Sequence, residues 1–199
     1  MKPPVEISAT GKLPALDVSF FSRPTVDVAR ELLGQILVRE GPQGRLAGRI
    51  VETEAYTGAD DPASHAFHGP TARSRVMFGV AGRAYVYLCY GFHFLLNVVS
   101  ESEGQPGAVL LRAIEPCLGL ETMLTNRNWP GRAGLCDGPG KLTRALEVDL
   151  ALNGWDMTRP GSLYVSPGGI REGESVLQGP RIGITRGREH PWRFRLIRD

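Results

Sequence analysis

Read for the alternation of apolar and polar positions, the chain breaks into short strands and a few shorter helices. Residues 1–16 are Pro-containing and aperiodic, which predicts a flexible N-terminal tail followed by one folded domain over 17–199. After S-F-F-S-R-P, Thr25 is placed to cap a helix through V-D-V-A-R-E-L-L that Gly34 ends. Q-I-L-V-R (35–39) predicts a strand, G-P-Q-G a turn, and R-L-A-G-R-I-V-E-T-E-A-Y (45–56) the antiparallel return. Asp61-Pro62 predicts a short helical turn through Ala63, Ser64 and His65, because proline suits the first helical position. The strongest hairpin pattern is A-Y-V-Y-L-C-Y-G-F-H-F-L-L-N-V-V (84–99), two β-rich runs joined around Tyr90 and Gly91. G-A-V-L-L-R-A-I (107–114) reads as a buried strand whose one charge is Arg112, and helices follow at about 118–127 and from G-P-G-K-L-T-R-A-L-E (138–147). Further strands and turns are expected at G-S-L-Y-V-S from Gly161, P-R-I-G-I-T from Pro180 and P-W-R-F-R-L-I from Pro191. Hairpin-linked strands mixed with few helices predict an α+β single domain: a mostly antiparallel sheet with a protruding β-hairpin and peripheral helices.

Composition narrows the class without choosing a function. An apolar content of 42% and a charged content of 22% over 199 residues suit one globular domain with a real core. No apolar run approaches the roughly 20 residues of a membrane span, and M-K-P-P-V-E-I-S-A-T-G-K-L-P lacks the apolar centre of a signal peptide. The expectation is a cytoplasmic protein with no membrane partner, nucleoid-associated in a bacterium. Cys89, Cys117 and Cys136 form no C-x-x-C pair, so they read as small apolar fillers and not as a disulfide framework or zinc knuckle. The net charge is only +2, yet arginine outnumbers lysine heavily, with Lys2, Lys12 and Lys141 the only lysines. Codon bias accounts for this as well as function does, but guanidinium forks suit phosphates and stacked bases.

Chemistry gathers in I-V-E-T-E-A-Y, where Glu52 and Glu54 fall on one strand face with Ile50 and Tyr56. The pair is either a solvated face or a covered site, and a covered carboxylate must be paired or have work to do. Two carboxylates ~7 Å apart match the spacing of inverting glycosidases, but neighbours on one strand approach a bond from the same side. One glutamate acting as general base on water stays open. His65 and His68, three apart, could join Glu54 or His93 around a metal, but Gly69 and Pro70 cut the helical turn short and no H-E-x-x-H is present. A metal site is therefore not expected. Tyr90 at a hairpin tip either folds back on the sheet or serves as a wedge into a base stack, with Arg73, Arg75 and Arg83 near the phosphates. G-P-G-K resembles an anion-binding helix start around Lys141 but lacks the spacing of a nucleotide triphosphate loop.

R-I-V-E-T-E-A-Y from Arg49, S-H-A from Ser64, R-S-R-V-M-F from Arg73, Y-V-Y-L-C-Y-G from Tyr85, Asn97, V-L-L-R-A-I-E-P from Val109, G-P-G-K-L from Gly138 and P-R-I-G-I from Pro180 closely resemble, in order and spacing, the alkyladenine (3-methyladenine, methylpurine) DNA glycosylases. The resemblance runs from about Asp17 to Ile197. It implies a monofunctional enzyme of base-excision repair that flips a damaged purine out of duplex DNA and hydrolyses its N-glycosidic bond, acting as a monomer without a cofactor. Carried over by motif, Glu54 resembles the base that activates water, and Arg112 and the Ile182 carbonyl the groups that hold that water. Tyr56, His65 and Tyr87 resemble the walls around the extruded base, Asn97 the screen at its edge and Tyr90 the wedge. Arg73, Arg75, Lys141 and Arg181 fall where DNA phosphates are expected. The chain departs from the family pattern at Ala72, Ser74 and His68, in the phosphate loop and on the pocket rim. A non-catalytic DNA-binding module with a Tyr wedge and an Arg clamp is the rival reading.

Two further expectations follow from chemistry and geometry. A backbone-cleaving glycosylase needs an amine nucleophile, and outside the tail only Lys141 offers one, at a helix start that does not suggest it. Stacking on Tyr56 and Tyr87 would favour cationic bases. For Tyr87 and Asn97 to face one pocket, the hairpin needs a bulge or a three-residue turn over Tyr90, Gly91 and Phe92 that pairs Tyr85 with Asn97; an unbulged two-residue turn would put Asn97 on the other face. Glu52 is expected to be structural, answering a nearby arginine.

Overall fold

Strand after strand in this chain is short, β-branched and half apolar, and such strands become stable only by pairing side by side over a shared core. A computed structural model describes residues 11–198. Its elements in chain order are α1 (Val18–Phe21), α2 (Thr25–Glu31), β1 (Ile36–Gly41), β2 (Gly44–Tyr56), β3 (Ala84–Cys89), β4 (His93–Val99), β5 (Ala108–Leu118), α3 (Leu120–Arg127), α4 (Pro139–Ala145), β6 (Leu163–Ser166), β7 (Glu174–Gly179) and β8 (Arg193–Arg198). The strands form one antiparallel sheet in the order β3-β4-β5-β2-β1-β6, with β8 pairing β2 and β7. The helices are short and pack on it, so the α+β class is the observed one. No helix among the described residues is long and apolar enough to cross a membrane.

The branch at β2 positions the site. Its first half pairs with β1, and its second half lies between β5 and β8, which covers both backbone edges of Glu52–Glu54. Register slips at Ile50/Glu52 and Glu52/Thr53 leave Val51 and Arg112 as bulge residues. A bulge re-aims the side chains beside it. Ile50 accordingly joins Ala55 in the main core, while Thr53 donates its hydroxyl to the Ala29 carbonyl of α2. This corrects the expectation that Ile50 shares the glutamate face: strict alternation holds only from Glu52 to Tyr56.

The β3–β4 register pairs Tyr85 with Asn97 and Cys89 with His93, leaving Tyr90, Gly91 and Phe92 as a three-residue turn. The odd turn that gives a shared Tyr87–Asn97 face is therefore present. Tyr90 (φ 52°) and Gly91 (φ 78°) both lie in the left-handed region, as in a type I′ turn, and the Phe92 N–H closes onto the Cys89 carbonyl.

Several local expectations are corrected. Residues 1–10 of the predicted tail lie outside the described residues, but Leu13 is buried against Ile36, Val38 and Tyr164, and the Leu16 N–H bonds the Val165 carbonyl. Thr25 is the first residue inside α2 and not its cap; its N–H and hydroxyl both donate to Glu101 Oε1, so a carboxylate from a distant loop caps the helix. Residues 62–68 form successive turns in place of a helical turn, and 180–185 form an irregular loop in place of a strand. Of the cysteines only Cys136 is buried, and Cys117 is exposed.

Candidate active site

Between the β3–β4 hairpin, β5, the start of α4 and the 182–184 loop opens a cavity of about 550 Å³, lined by Tyr56, His65, Tyr87, Asn97, Arg112 and Ile182 among others. Alternation explains the β3–β4 contribution: Tyr85, Tyr87 and Cys89 share one face of β3, and Leu95 and Asn97 the matching face of β4. Glu54 lies one layer below. Its residue is 0% exposed, and the groups that bond it themselves line the cavity.

That carboxylate accepts three hydrogen bonds. Tyr56 Oη donates to Oε2 at 2.8 Å, Arg112 donates to Oε2 at 3.3 Å, and the Ile182 N–H donates to Oε1 at 2.7 Å. A carboxylate offers about four acceptor sites, so one on Oε1 has no partner among the described residues. Burial and the Glu54 charge push the Tyr56 phenol well up, which keeps it a donor. Ile182 thus meets Glu54 through its amide, whereas the resemblance drew attention to its carbonyl.

Glu52 stands beside this group as its brace. Its Oε1 accepts from Arg112 Nε at 3.1 Å and from Arg193 Nε at 2.6 Å, so two carboxylates and two guanidiniums alternate along the strand face. The expectation that Glu52 answers an arginine is met twice over.

The walls are aromatic and polarised. His65 Nδ1 lies 2.8 Å from Tyr85 Oη, and its ring meets Tyr87 edge-on at 4.7 Å. Desolvation first, and the Arg73 guanidinium second, hold the His65 imidazole below its ordinary range, which favours the neutral ring. Burial raises the Tyr85 phenol, which favours its protonated form. Asn97 is buried and donates from Nδ2 to the Tyr85 carbonyl at 3.1 Å.

Of the groups expected at phosphates, Arg75 is exposed, and Lys141 lines the cavity while ion-paired with Asp137 at 2.7 Å. Arg181 is a correction. Its side chain and that of Asp61 are both 0% exposed, joined through two bonds of 2.6 and 2.8 Å, and its Cζ lies 4.7 Å over the Tyr56 ring and 5.1 Å over Trp192. A guanidinium locked there cannot reach a phosphate; it anchors the residue before Ile182. Arg73 lies with its Cζ 4.6 Å over the Tyr87 ring and bonds the Leu88 carbonyl at 3.1 Å. Tyr90, by contrast, is 81% exposed and does not fold back on the sheet.

Sequence reasoning missed Tyr85 and Asp61. Tyr85 was findable, since it shares the Tyr87 face; Asp61 was not, because its partner is 120 residues away. Among the described residues no group of three His, Cys, Asp or Glu side chains is arranged to hold a metal ion.

A family model described as Methylpurine-DNA glycosylase (MPG) matches residues 19–199. The chain is 49% identical over 186 residues, 92% of each chain, to a protein of Methanocella arvoryzae named "Putative 3-methyladenine DNA glycosylase". It is 50% identical over 191 residues to a protein of the same name from Salinibacter ruber, covering 90% of this chain and 91% of that one. A third of that name, from Rubrobacter xylanophilus, is 49% identical over 168 residues, 84% of this chain and 86% of its own.

Proposed function

The chain belongs to the methylpurine-DNA glycosylase family, and from that premise we propose that it flips damaged purines out of duplex DNA and hydrolyses their N-glycosidic bonds with water activated by Glu54. At the coarser level it is a DNA glycosylase of alkylated-base repair. The observation that carries the finer reading is a fully buried carboxylate under an aromatic cavity, with three acceptor sites filled and the fourth free to take a water proton.

In this reading the extruded purine lies between Tyr56 on one side and His65 and Tyr87 on the other, and Asn97 screens its edge. Glu54 accepts the proton of the attacking water and faces the positive charge that grows on the sugar as the bond to the base breaks. Arg112, braced by Glu52, keeps the carboxylate oriented. Tyr90 fills the gap left in the stack, while Arg75 and Lys141 contact phosphates and the protein acts as a monomer. Substrates are cationic purines such as 3-methyladenine and 7-methylguanine and the neutral hypoxanthine. Lys141, ion-paired with Asp137, is not the amine of a strand-cleaving enzyme, so the product is an intact abasic strand.

The test uses duplexes that each carry one defined lesion, with alkali to reveal abasic sites. The protein should release base, leave strands whole until alkali is added, and form no borohydride-trapped adduct. Glu54→Gln should bind the damaged duplex as before and lose at least about 10³-fold in the rate of release, on the scale of removing a group that acts in the transition state. If Glu54→Gln releases base at the original rate, the Glu54 assignment is wrong. If no lesion is released by the unaltered protein, the non-catalytic DNA-binding reading takes its place.

A further inference from the structure

Each tyrosine wall of the cavity carries an arginine on one ring face, and the two arginines differ in how their charge is balanced. Behind Tyr56, Arg181 is tied by two bonds to the buried Asp61, so the pair brings almost no net charge to the ring. Against Tyr87, Arg73 has its Cζ 4.6 Å from the ring centroid, and among the described residues no carboxylate lies within ion-pair distance of it. Tyr87 lines the cavity and Arg73, itself an exposed residue, does not, so the guanidinium meets the Tyr87 ring from outside the cavity lining.

The position is built. Thr71 and Ser74 exchange hydrogen bonds, with the Thr71 N–H on Ser74 Oγ at 2.9 Å and the Ser74 N–H on Thr71 Oγ1 at 3.1 Å, and Ser74 is fully buried. This turn fixes the backbone on either side of Arg73. At the far end the guanidinium donates to the Leu88 carbonyl on the open edge of β3.

We propose that Arg73 sets the balance between cationic and neutral purines by holding an uncompensated positive charge behind the Tyr87 ring. The inference rests on the glycosylase reading above and adds a selectivity that the reading does not contain. Tyrosine attracts a cation through the electron density on its faces, and a second cation on the opposite face draws that density away and repels the first directly. A base stacked on the open face, with ring centroids ~4.5 Å apart, lies about 9 Å from the guanidinium. Two unit charges at that distance, at an effective dielectric of about 20 to 40, correspond to roughly a five- to twentyfold disadvantage. A neutral base escapes this. On this proposal the favour for cationic bases expected at both tyrosines stays with Tyr56, whose arginine is neutralised, and is offset at Tyr87.

The experiment measures kcat/KM for duplexes carrying one 7-methylguanine, which is cationic, or one hypoxanthine, which is neutral. Arg73→Met keeps the stem over the ring and removes the charge; it should raise the cationic-to-neutral ratio roughly five- to twentyfold. Arg73→Lys should keep the ratio within about threefold of the original. Arg73→Gln carries the same test if Arg73→Met does not fold. An unchanged or lowered ratio in the uncharged variants overturns the proposal. So does an equal loss for both lesions with a shallower salt dependence, which would make Arg73 a phosphate contact. Release of neither base by the unaltered protein would instead sink the glycosylase reading itself.

Discussion

Strand β2 and the β3–β4 hairpin both feed the cavity, and they do so by opposite means. On β2 the charges from Arg49 onward are buried or half-buried, and all are answered: Arg49 by Glu174 at 2.6 Å, Glu52 by Arg112 and Arg193, and Glu54 by Arg112, Tyr56 and Ile182. The hairpin roots itself with Tyr85, Val86, Leu96 and Val98 in the interior and then leaves Tyr90 and Phe92 bare at its tip, 81% and 69% exposed. Chemistry at a glycosidic bond requires a carboxylate whose position and surroundings do not fluctuate, and a lattice of ion pairs between β5 and β8 provides that. Entering a duplex requires apolar surface that gains partners only when DNA arrives. In the proposed function the rigid strand holds the reaction and the bare tip the recognition.

The sharpest way to break this contrast is to unbalance a buried charge on the rigid side. Asp61→Ala leaves the Arg181 guanidinium unpaired beneath Tyr56, where its Nε already has no hydrogen-bond partner. The expected cost is about 3–5 kcal/mol, since an uncompensated buried charge is far worse than no charge. At roughly 2–4 °C per kcal/mol for a chain of this size, Tm should fall by at least about 6 °C, read by calorimetry. Asp61→Leu combined with Arg181→Met should recover much of that stability without recovering base release, because Ile182 would lose its anchor. If the single variant is as stable as the parent, the lattice is not what fixes the floor.

A smaller effect sharpens the same point through pH. The Arg49 guanidinium bonded to Glu174, helped by the Arg171 N–H, holds that carboxyl below the ordinary glutamate value of 4.5. A depressed carboxyl pKa in the folded state means that the unfolded chain binds the proton more readily. Its stabilisation is therefore complete above pH 4.5 and is lost as pH falls through the folded value. Glu174→Gln should cost about 2 kcal/mol at pH 7, as for a hydrogen bond to a charged group. That difference should shrink as denaturation is repeated below pH 4.5; a gap independent of pH would assign the effect to packing.

What was legible in the sequence divides along the same line. The hairpin was readable almost down to its turn, because two side chains that share a face leave an odd turn length or a bulge, and the Tyr85–Asn97 register has the odd turn. Glu54 was readable through the motif it sits in, and the antiparallel α+β class through the spacing of strands and turns. The face of Ile50 was not, because a bulge is produced by the fit of β2 against β5 and leaves no mark in local alternation. Arg181 was misread because an arginine's charge advertises an anion, and the sequence does not say whether that anion is Asp61 or a DNA phosphate; nor does it show that Arg73 lies against the Tyr87 ring. Leu13 was hidden in a Pro-containing stretch whose pairing partner lies on β6, about 150 residues on.

The smallest of the expected effects bears on the bare side of the comparison. Tyr90 is a non-glycine residue at φ 52°, a conformation that costs on the order of 1 kcal/mol and is common where the chain holds a residue for use. Because the ring touches so little in the free protein, Tyr90→Ala should leave Tm within about 1 °C of the parent, as expected for an exposed site. The loss should appear only with DNA, as about a 10- to 100-fold drop in kcat/KM, corresponding to ~1–3 kcal/mol for one stacked aromatic. Tyr90→Phe should retain most of the activity, since the wedge uses the ring and not the hydroxyl. Activity and stability thus separate at the tip, whereas at Asp61 they fall together. A Tyr90→Ala protein that melts several degrees lower would mean that the ring does fold onto the sheet, and recognition would then have to be sought in Phe92 and the arginines around it.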